Sequence, residues 1–571
     1  MLYLHLAAGR RGPALLLSLS LGVTYWPLCG AAEPVTFKQS EKELSDCDPE
    51  VLEGQQLADT RLTISDIRID TENIFTEDDG ENLMIHDFAN WMHIITDPDV
   101  IAERLPFKKG DTVTLNDVEE AERIIRSQGY IRDARVTIGG CDIDQTGEIV
   151  VTTWDNWSLL PTVGFSREGG KSKFSLGIKE DNLLGLGVRA RMRYQKDDQR
   201  SGYQFSFNMP ISYIPHSTLF LDILDNDDGE LYNIEFDNPF YQTSSDRMSN
   251  LILKQDMHET DIYQNGGTRN RFSFDGDYYS AAGGWALSAN SEQAHRLTYG
   301  IVQEQTRFAL LPEAIASDVA WLPQNRDFRY LWLGYEFVQS DYQVMSDINL
   351  IEQAEDINLG WAFKARLGYD WRTSRMEGAA TGPTYHLASS LDKGWFGDFG
   401  LVLWENDLTA TLFADQPDSY KLHSQLDYFY RANTWLGFYA GGQVTHSQHA
   451  FLDEPVALGG ESGVRGYPLQ YQQGNNAASA SAEVRFYPGV NLLKLVDVGF
   501  ATFADVGKAW SGEQAQDNEV QGMLTSVGVG GRFYSSRSSH KAVLHLDIIK
   551  PLADGENLDS WQWRLKMKTR F

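Results

Sequence analysis

The last eleven residues, Trp561 to Phe571, alternate without a break: Trp561, Trp563, Leu565, Met567, Thr569 and Phe571 at odd positions, Gln562, Arg564, Lys566, Lys568 and Arg570 at even ones. Period-two alternation predicts a β-strand with one apolar and one charged face. Runs of the same kind recur upstream. LLPTVGFSREGG, KFSLGIKEDNLLGLG, GVRARMRYQKDD and SGYQFSFNMP follow one another from Leu159, and each has about the 9–11 residues that a tilted strand needs to cross a bilayer. Between Leu160 and Phe571 the pattern yields roughly twenty segments of spanning length. Polar stretches such as Asp222 to Glu230 and Leu310 to Asp327 read as loops or turns. No apolar run reaches the ~18 residues of a transmembrane helix.

Ahead of these segments the period changes. Residues 61–158 read as a small β-α-α-β-β unit. Leu62, Ile64, Ile67 and Ile69 predict a strand with one irregularity. Asp97-Pro98 reads as a cap and first helical position, followed by Val100, Ile101 and Leu105. A second helix is expected from Thr114, with Asp117 completing a capping box, Val118, Ala121, Ile124 and Ile125 facing inward, and Gly129 where the helix stops. Ala134, Val136 and Ile138 predict a strand, and Glu148 to Trp154 another. Residues 33–60 are acidic and aperiodic, an arm.

Residues 1–32 read as a secretory signal peptide: Arg10 and Arg11, an apolar stretch from Ala14 to Val23, and small residues Gly30, Ala31 and Ala32 around the expected cleavage site. Trp26-Pro27-Leu28-Cys29 lacks the small residues of a lipoprotein site. With the leader gone, Cys47 and Cys141 remain in an oxidising compartment, where they either pair or stay as two thiols; pairing is the expectation. Aromatic residues make up 12% of the chain and Gly numbers 50, as suits strands and tight turns. The net charge of −31 argues against a nucleic-acid partner. The 12 His are scattered without metal-ligand spacing, so no metal or other cofactor is expected. No Ser-His-Asp set, phosphate loop or paired carboxylate stands out, and an enzyme is not expected.

Two regions carry a family resemblance. LPFKKGDTVTLNDVEEAERIIRSQGYIRDARVTI, residues 105–138, resembles a polypeptide-transport-associated (POTRA) domain, through its Lys-Gly-Asp turn, amphipathic helix, Gly-Tyr stop and following strand. GGESGVRGYPLQYQ, residues 459–472, carries Val464-Arg465-Gly466-Tyr467, which resembles the tip of loop six in BamA/TamA-type outer-membrane assembly proteins, a superfamily that includes two-partner secretion transporters. Phe503-Ala-Asp505-Val-Gly507, Ser526-Val-Gly528-Val-Gly530-Gly-Arg532 and His545-Leu-Asp547-Ile-Ile-Lys-Pro551-Leu552 are similar to the strands that follow in that superfamily, and Phe571 ends the chain as those barrels end.

The resemblance implies an all-β transmembrane antiparallel barrel over residues 159–571, of about sixteen strands or a larger even number, behind one periplasmic α+β POTRA domain at 61–158. It implies that Arg465 locks loop six against the inner wall through Asp505. Read from the residues alone, an Arg between Gly463 and Gly466 on a long loop is either built to reach into a cavity and find an acceptor, or is an ordinary surface Arg. Gly528 and Gly530 leave two bare positions on one strand face, for close approach or for curvature. Asp547 is a lumenal charge or a partner for the terminal cations. In the superfamily the terminal strand, here with Trp563, Leu565 and Phe571, is also the signal for the barrel's own insertion. The function implied is insertion or translocation of client polypeptides at the outer membrane of a Gram-negative bacterium, with a passive solute channel as the alternative. Its partners would be outer-membrane lipids, unfolded β-rich or secreted clients, and periplasmic chaperones or accessory lipoproteins. The POTRA would capture clients by β-augmentation.

Overall fold

The computed structural model of the chain describes residues 61–76, 83–141, 146–168, 170–312, 321–372, 374, 376, 378–460, 462–539, 541–555 and 557–568. The expected leader, the acidic arm, Cys47 and Phe571 lie outside them, and so does the Cys47–Cys141 pairing.

The alternating segments close into a single antiparallel barrel of twenty strands, from Leu159–Glu168 to Gln562–Lys568. This corrects the count of about sixteen expected from the resemblance. Segments that could have been hairpins standing clear of the wall pair edge to edge with their neighbours instead. The region from Asp222 shows why a polar stretch misleads. Thr218–Asn226 and Gly229–Asn238 are both wall strands, paired from Asn226↔Gly229 to Thr218↔Asp237. Asp222 sits mid-strand and accepts hydrogen bonds from Gln204 Nε2 (2.9 Å) and Ser206 Oγ (2.5 Å). An acid on a lumenal face is no obstacle to a membrane strand, because only the outer face must be apolar.

The outer face is apolar. Leu331 and Leu333 on Arg326–Gln339, Leu176 and Ile178 on Lys171–Leu183, and Val527 and Val529 on Leu524–Ser535 all point away from the lumen and are exposed. Charged residues on the same walls, such as Arg485, Arg532, Asp547 and Arg564, are buried inside. A closed sheet leaves no unpaired edge, which lets the wall sit in hydrocarbon. Three neighbouring strands, Arg247–Gln264, Gly267–Ala289 and Gln293–Leu310, run 18, 23 and 18 residues and raise one side of the barrel.

The preceding unit is β1 (Leu62–Glu72), α1 (Met84–Met92), α2 (Pro98–Ala102), β2 (Thr112–Val113), α3 (Leu115–Arg126), β3 (Ile131–Cys141) and β4 (Thr146–Asp155). Its sheet order is β2-β1-β4-β3, with β1 parallel to β4 and β3 antiparallel to it. β1 carries its irregularity between Ile64 and Asp66. Thr114 and Asp117 cap α3 reciprocally, the Asp117 carboxylate accepting from Thr114 N at 2.8 Å. Ile64, Ile101, Ala121, Ile125, Ile131, Ile149 and Val151 are almost wholly buried between sheet and helices. Helix α1 was not anticipated by the sequence reading. Its segment has helical spacing, but its large apolar side chains point outward and only His86 and Ala89 are buried.

Ile149 is fully buried in this core. Ile149→Ala is expected to cost about 2–5 kcal/mol. Limited proteolysis should then cut the small unit while the barrel keeps its heat-modifiable mobility on a gel.

Candidate functional site: a charged lock in the lumen

The connection 449–475 joins Leu436–Gln448 to Asn476–Leu492 at the barrel end opposite the small unit, and folds into the lumen. Five wall strands follow it. It is the eighth connection at its end rather than the sixth, since the added strands precede it. Its tip approaches the wall as only glycine allows. Gly463 and Gly466 have φ of +72° and +87°, and a Cβ would meet Ser479 Oγ at 2.6 Å and Ile549 Cγ2 at 2.7 Å. From the wall side, Gly507 makes room for Val464, whose Cγ2 would lie 2.7 Å from a Cβ there.

Arg465, between those glycines, is buried against the inner wall. Its Nε and Nη2 donate to the two oxygens of Asp505 at 2.7 and 2.6 Å, a bidentate fork. Its backbone N–H also donates to Asp505, Nη1 donates to Glu483 Oε1 at 2.6 Å, and Nη2 to Ser481 Oγ at 2.8 Å. The guanidinium stacks 3.6 Å above the ring of Phe503. Burial alone would pull its pKa down, but the Asp505 and Glu483 carboxylates outweigh that and the net shift is upward. Arg465 therefore stays charged at any physiological pH. Asp505 lies two residues from Phe503, so the period-two rule puts ring and carboxylate on one face.

The network continues towards the small unit. Glu483 Oε2 accepts from Arg485 Nε at 3.1 Å, and Arg485 Nη1 donates to the carbonyl of Ile348 at 3.1 Å. Ile348 belongs to an insert, residues 340–361, built on a two-strand hairpin (Tyr342–Met345 with Glu355–Asn358). The insert enters the lumen from the small unit's end. Ile351 packs on Tyr487 and Tyr534, and Ile348 lies in a cluster with Leu401 and Phe429. Glu355 holds the insert's turn by accepting from the backbone N–H groups of Ile348, Asn349 and Leu350. Next to it, Asp356 takes a bidentate contact from Arg126 of α3, at 3.0 and 2.7 Å. Burial lowers the Arg126 pKa, yet Asp356 and Glu122 raise it further, so this pair too is ionic. Hydrogen bonds and ion pairs thus run from the loop tip to the small unit.

A second cluster adjoins the first. Asp547 accepts from Arg532 Nη1 (2.6 Å) and from Arg564 Nε and Nη2 (3.0 and 2.7 Å), which makes it both a lumenal charge and a partner for a terminal cation. Gly530 is the cross-strand partner of Asp547, and a Cβ there would lie 2.0 Å from Asp547 Oδ1. Gly528 faces the Phe503 ring at 2.4 Å in the same sense. Both glycines serve close approach rather than curvature. Tyr467 is fully buried; its hydroxyl donates to Thr525 O (2.7 Å) and accepts from Thr525 N (3.1 Å). Beyond it the connection crosses to the raised side of the barrel. Gln470 Oε1 accepts from Tyr263 N, and Tyr471 O from Asn265 N, so the far mouth is bridged.

The structure therefore brings Val464, Arg465, Gly466, Tyr467, Phe503, Asp505, Gly507, Gly528, Gly530 and Asp547 into one region. Trp563 is exposed on the outer face and Leu565 half-buried, while Arg564 points inward. Glu483, Arg485 and the insert were missed by the sequence reading, and Arg532 was quoted in its motif without a role. Val484 and Phe486 alternate with Glu483 and Arg485, so the rule applied to the last strand would have flagged both charges.

A sequence profile of the haemolysin secretion/activation protein family ShlB/FhaC/HecB matches residues 395–533. No curated sequence matches the chain. Among solved structures, CdiB from Escherichia coli is similar at 12% identity, covering 89% of this chain and 76% of that one, with a TM-score of 0.47. CdiB from Acinetobacter baumannii is similar at 11%, covering 89% and 74%, with a TM-score of 0.45. BamA from Haemophilus ducreyi lacking POTRA domains 1–3 is similar at 12%, covering 88% and 84%, with a TM-score of 0.39.

Arg465→Ala leaves Asp505 and Glu483 buried without their shared cation, a change expected to cost about 3–5 kcal/mol. The barrel should lose heat-modifiability at a lower temperature, and an added protease should cut within 449–475. Arg465→Lys keeps the charge but loses the fork, and should fall between the two.

Proposed function

We propose that this protein is a polypeptide translocator or insertase of the outer membrane, of the BamA/TamA-type superfamily. The observation that carries the reading is the Arg465 lock, a loop tip held inside a barrel by a buried bidentate ion pair. It falls within the segment that matches the secretion/activation family profile. A loop and an insert that fill the lumen from both ends obstruct the passive flow a pore would need.

In this reading the small unit is a POTRA domain in the periplasm. β3 is the last strand of its sheet, and its outer edge pairs with no other strand among the described residues. An extended client can add there through backbone hydrogen bonds, with little demand on its sequence. Translocation needs the 340–361 insert to leave its seat, and Arg126–Asp356 ties that insert to the client-binding unit. Insertion needs an edge in the wall, and the seam supplies it. Among the described residues, Gln562–Lys568 and Leu159–Glu168 share one registered pair, Leu565↔Arg167, where Gln562–Lys568 shares seven with its other neighbour. Trp563 stacks on Phe165 (5.8 Å) and lies under Arg167 (5.4 Å) across the seam. Clients are secreted or β-rich polypeptides, met with or without chaperones and accessory lipoproteins. No cofactor or catalytic residue enters the scheme.

The test is a quantitative outer-membrane and secreted proteome of cells lacking the protein, beside cells carrying Arg465→Ala. Loss of one or a few β-barrel or secreted proteins in both supports the proposal and names the client. An unchanged proteome with reduced uptake of a small solute would make the protein a channel. Insertion through the wall is read separately. In the Arg167→Cys, Leu565→Cys variant, oxidation should stop client appearance and reductant should restore it. Continued insertion with the seam fully cross-linked would confine the client to the lumen.

A further inference from the structure

Helix α1 presents its apolar side chains the wrong way for a soluble domain. Its inner face is small: His86 and Ala89 are buried, packed with Ile74, Phe75, Trp157 and Leu495. Its outer face carries Met84, Phe88 and Trp91 at i, i+4 and i+7, exposed by 90%, 49% and 79%. Ile94 and Ile95 continue the exposed apolar surface past the helix end. Between Leu83 and Thr96 there is no Lys or Arg, and Asp87 is the only acid. Scattered exposed apolar residues need no explanation, but a contiguous aromatic and aliphatic face does.

The helix is fixed rather than loose. His86 Nδ1 accepts from Leu83 N at 3.1 Å, which puts the ring hydrogen on Nε2, and Nε2 donates to the carbonyl of Leu493 at 2.8 Å. At the other end, His93 Nε2 bonds Asp155 at 2.7 Å. Thr96 donates to Asp155 through N and Oγ1, and Asn182 donates to Thr96 Oγ1 at 2.8 Å. Asp97 N then donates to Gly185 O at 3.0 Å. Leu493 lies in the tight turn between Asn476–Leu492 and Val496–Trp510, and Gly185 in the turn between Lys171–Leu183 and Val188–Lys196. In barrel order the seam lies between those two turns. The segment from Leu83 to Asp97 is thus strapped along the barrel rim beneath the seam.

Both turns are themselves apolar and exposed, with Val490, Leu492 and Leu493 at one and Leu183, Leu184 and Leu186 at the other. They adjoin the wall's outward belt, which at the seam includes Val163, Ile178, Phe500, Ile548 and Trp563. The outer face of α1 therefore continues the belt around the rim. Resting on the membrane-barrel reading above, we infer that α1 and residues 93–96 lie in the adjoining leaflet of the bilayer, with Met84, Phe88 and Trp91 among the acyl chains below the headgroups. An amphipathic helix parallel to the membrane, with aromatic residues at that depth, is a stable arrangement. Its partner is a phospholipid surface, and its place beneath the thinly bonded seam puts it where a client would leave the wall.

The test uses the full chain in vesicles of phosphatidylethanolamine and phosphatidylglycerol, with a photoreactive amino acid at Met84 or Trp91. Leu333 on the barrel wall is the positive control, and Lys109, on a polar turn of the small unit, the negative one. Lipid adducts at Met84, Trp91 and Leu333 but not at Lys109 are expected. Adducts at Leu333 without any at Met84 and Trp91 would overturn the inference while leaving the barrel in its membrane. Absence at Leu333 as well would instead overturn the membrane reading on which it rests. Equal labelling at Lys109 would overturn it too, since nothing would then single out the helix. In cells, polypeptide adducts replacing lipid adducts at Met84 and Trp91 would make the face a protein-docking site.

Discussion

A buried guanidinium needs acceptors, and most of this molecule's interior is arranged around that need. Arg465 brings one positive charge inside the barrel on a loop whose Val464, Tyr467 and Tyr471 are buried beside it. Asp505 answers it with both oxygens, Glu483 with one, and Phe503 with a ring face. Removing any of these leaves a charge in a place water reaches poorly, where the cost of a lost partner exceeds the worth of the pair. The glycines follow from the same demand. Gly463 and Gly466 bring the loop backbone to the wall, Gly507 clears space for Val464, and Gly528 and Gly530 leave room for the Phe503 ring and the Asp547 carboxylate.

Because Glu483 is shared, the lock does not end at the loop. Arg485 takes the other oxygen of the same carboxylate and donates to the insert's Ile348 carbonyl. The insert in turn is tied to the small unit through Asp356 and Arg126. Coupling between distant sites requires a physical chain of contacts, and here the chain is explicit. A displacement of α3 at Arg126 is therefore passed along a path that leads to Arg465.

The barrel was legible because period-two alternation is imposed by two solvents, lipid outside and water inside, and it holds over short windows. The alternation itself gave roughly twenty spanning segments, as found, and it was the resemblance that set the expectation at sixteen, since a closed sheet of either number asks the same of any single strand. Lumenal acids such as Asp222 blurred the boundaries further. The small unit's β1, α2, α3, β3 and β4 were readable from caps and periodicity, Thr114 and Asp97 above all. α1 was not. Its outward apolar face imitates a core, and only the barrel's turns at Leu493 and Gly185 explain its position. At the lock, motif letters identified Arg465 and Asp505. Glu483 and Arg485 were missed because no motif names them, although the alternation around them is as clear as in the last strand.

The seam's composition has a mechanical consequence. Elsewhere the wall is stitched by long ladders of directional hydrogen bonds, and moving one strand along another would break them all together. Between Leu159–Glu168 and Gln562–Lys568, the described residues show one registered pair, with the Trp563 ring against Phe165 and Arg167 beside it. Ring contacts fall off gradually with lateral shift. A slip of two residues returns every side chain to its own face of the wall. The joint can therefore slide before it parts, changing the barrel's girth while each side chain keeps its face.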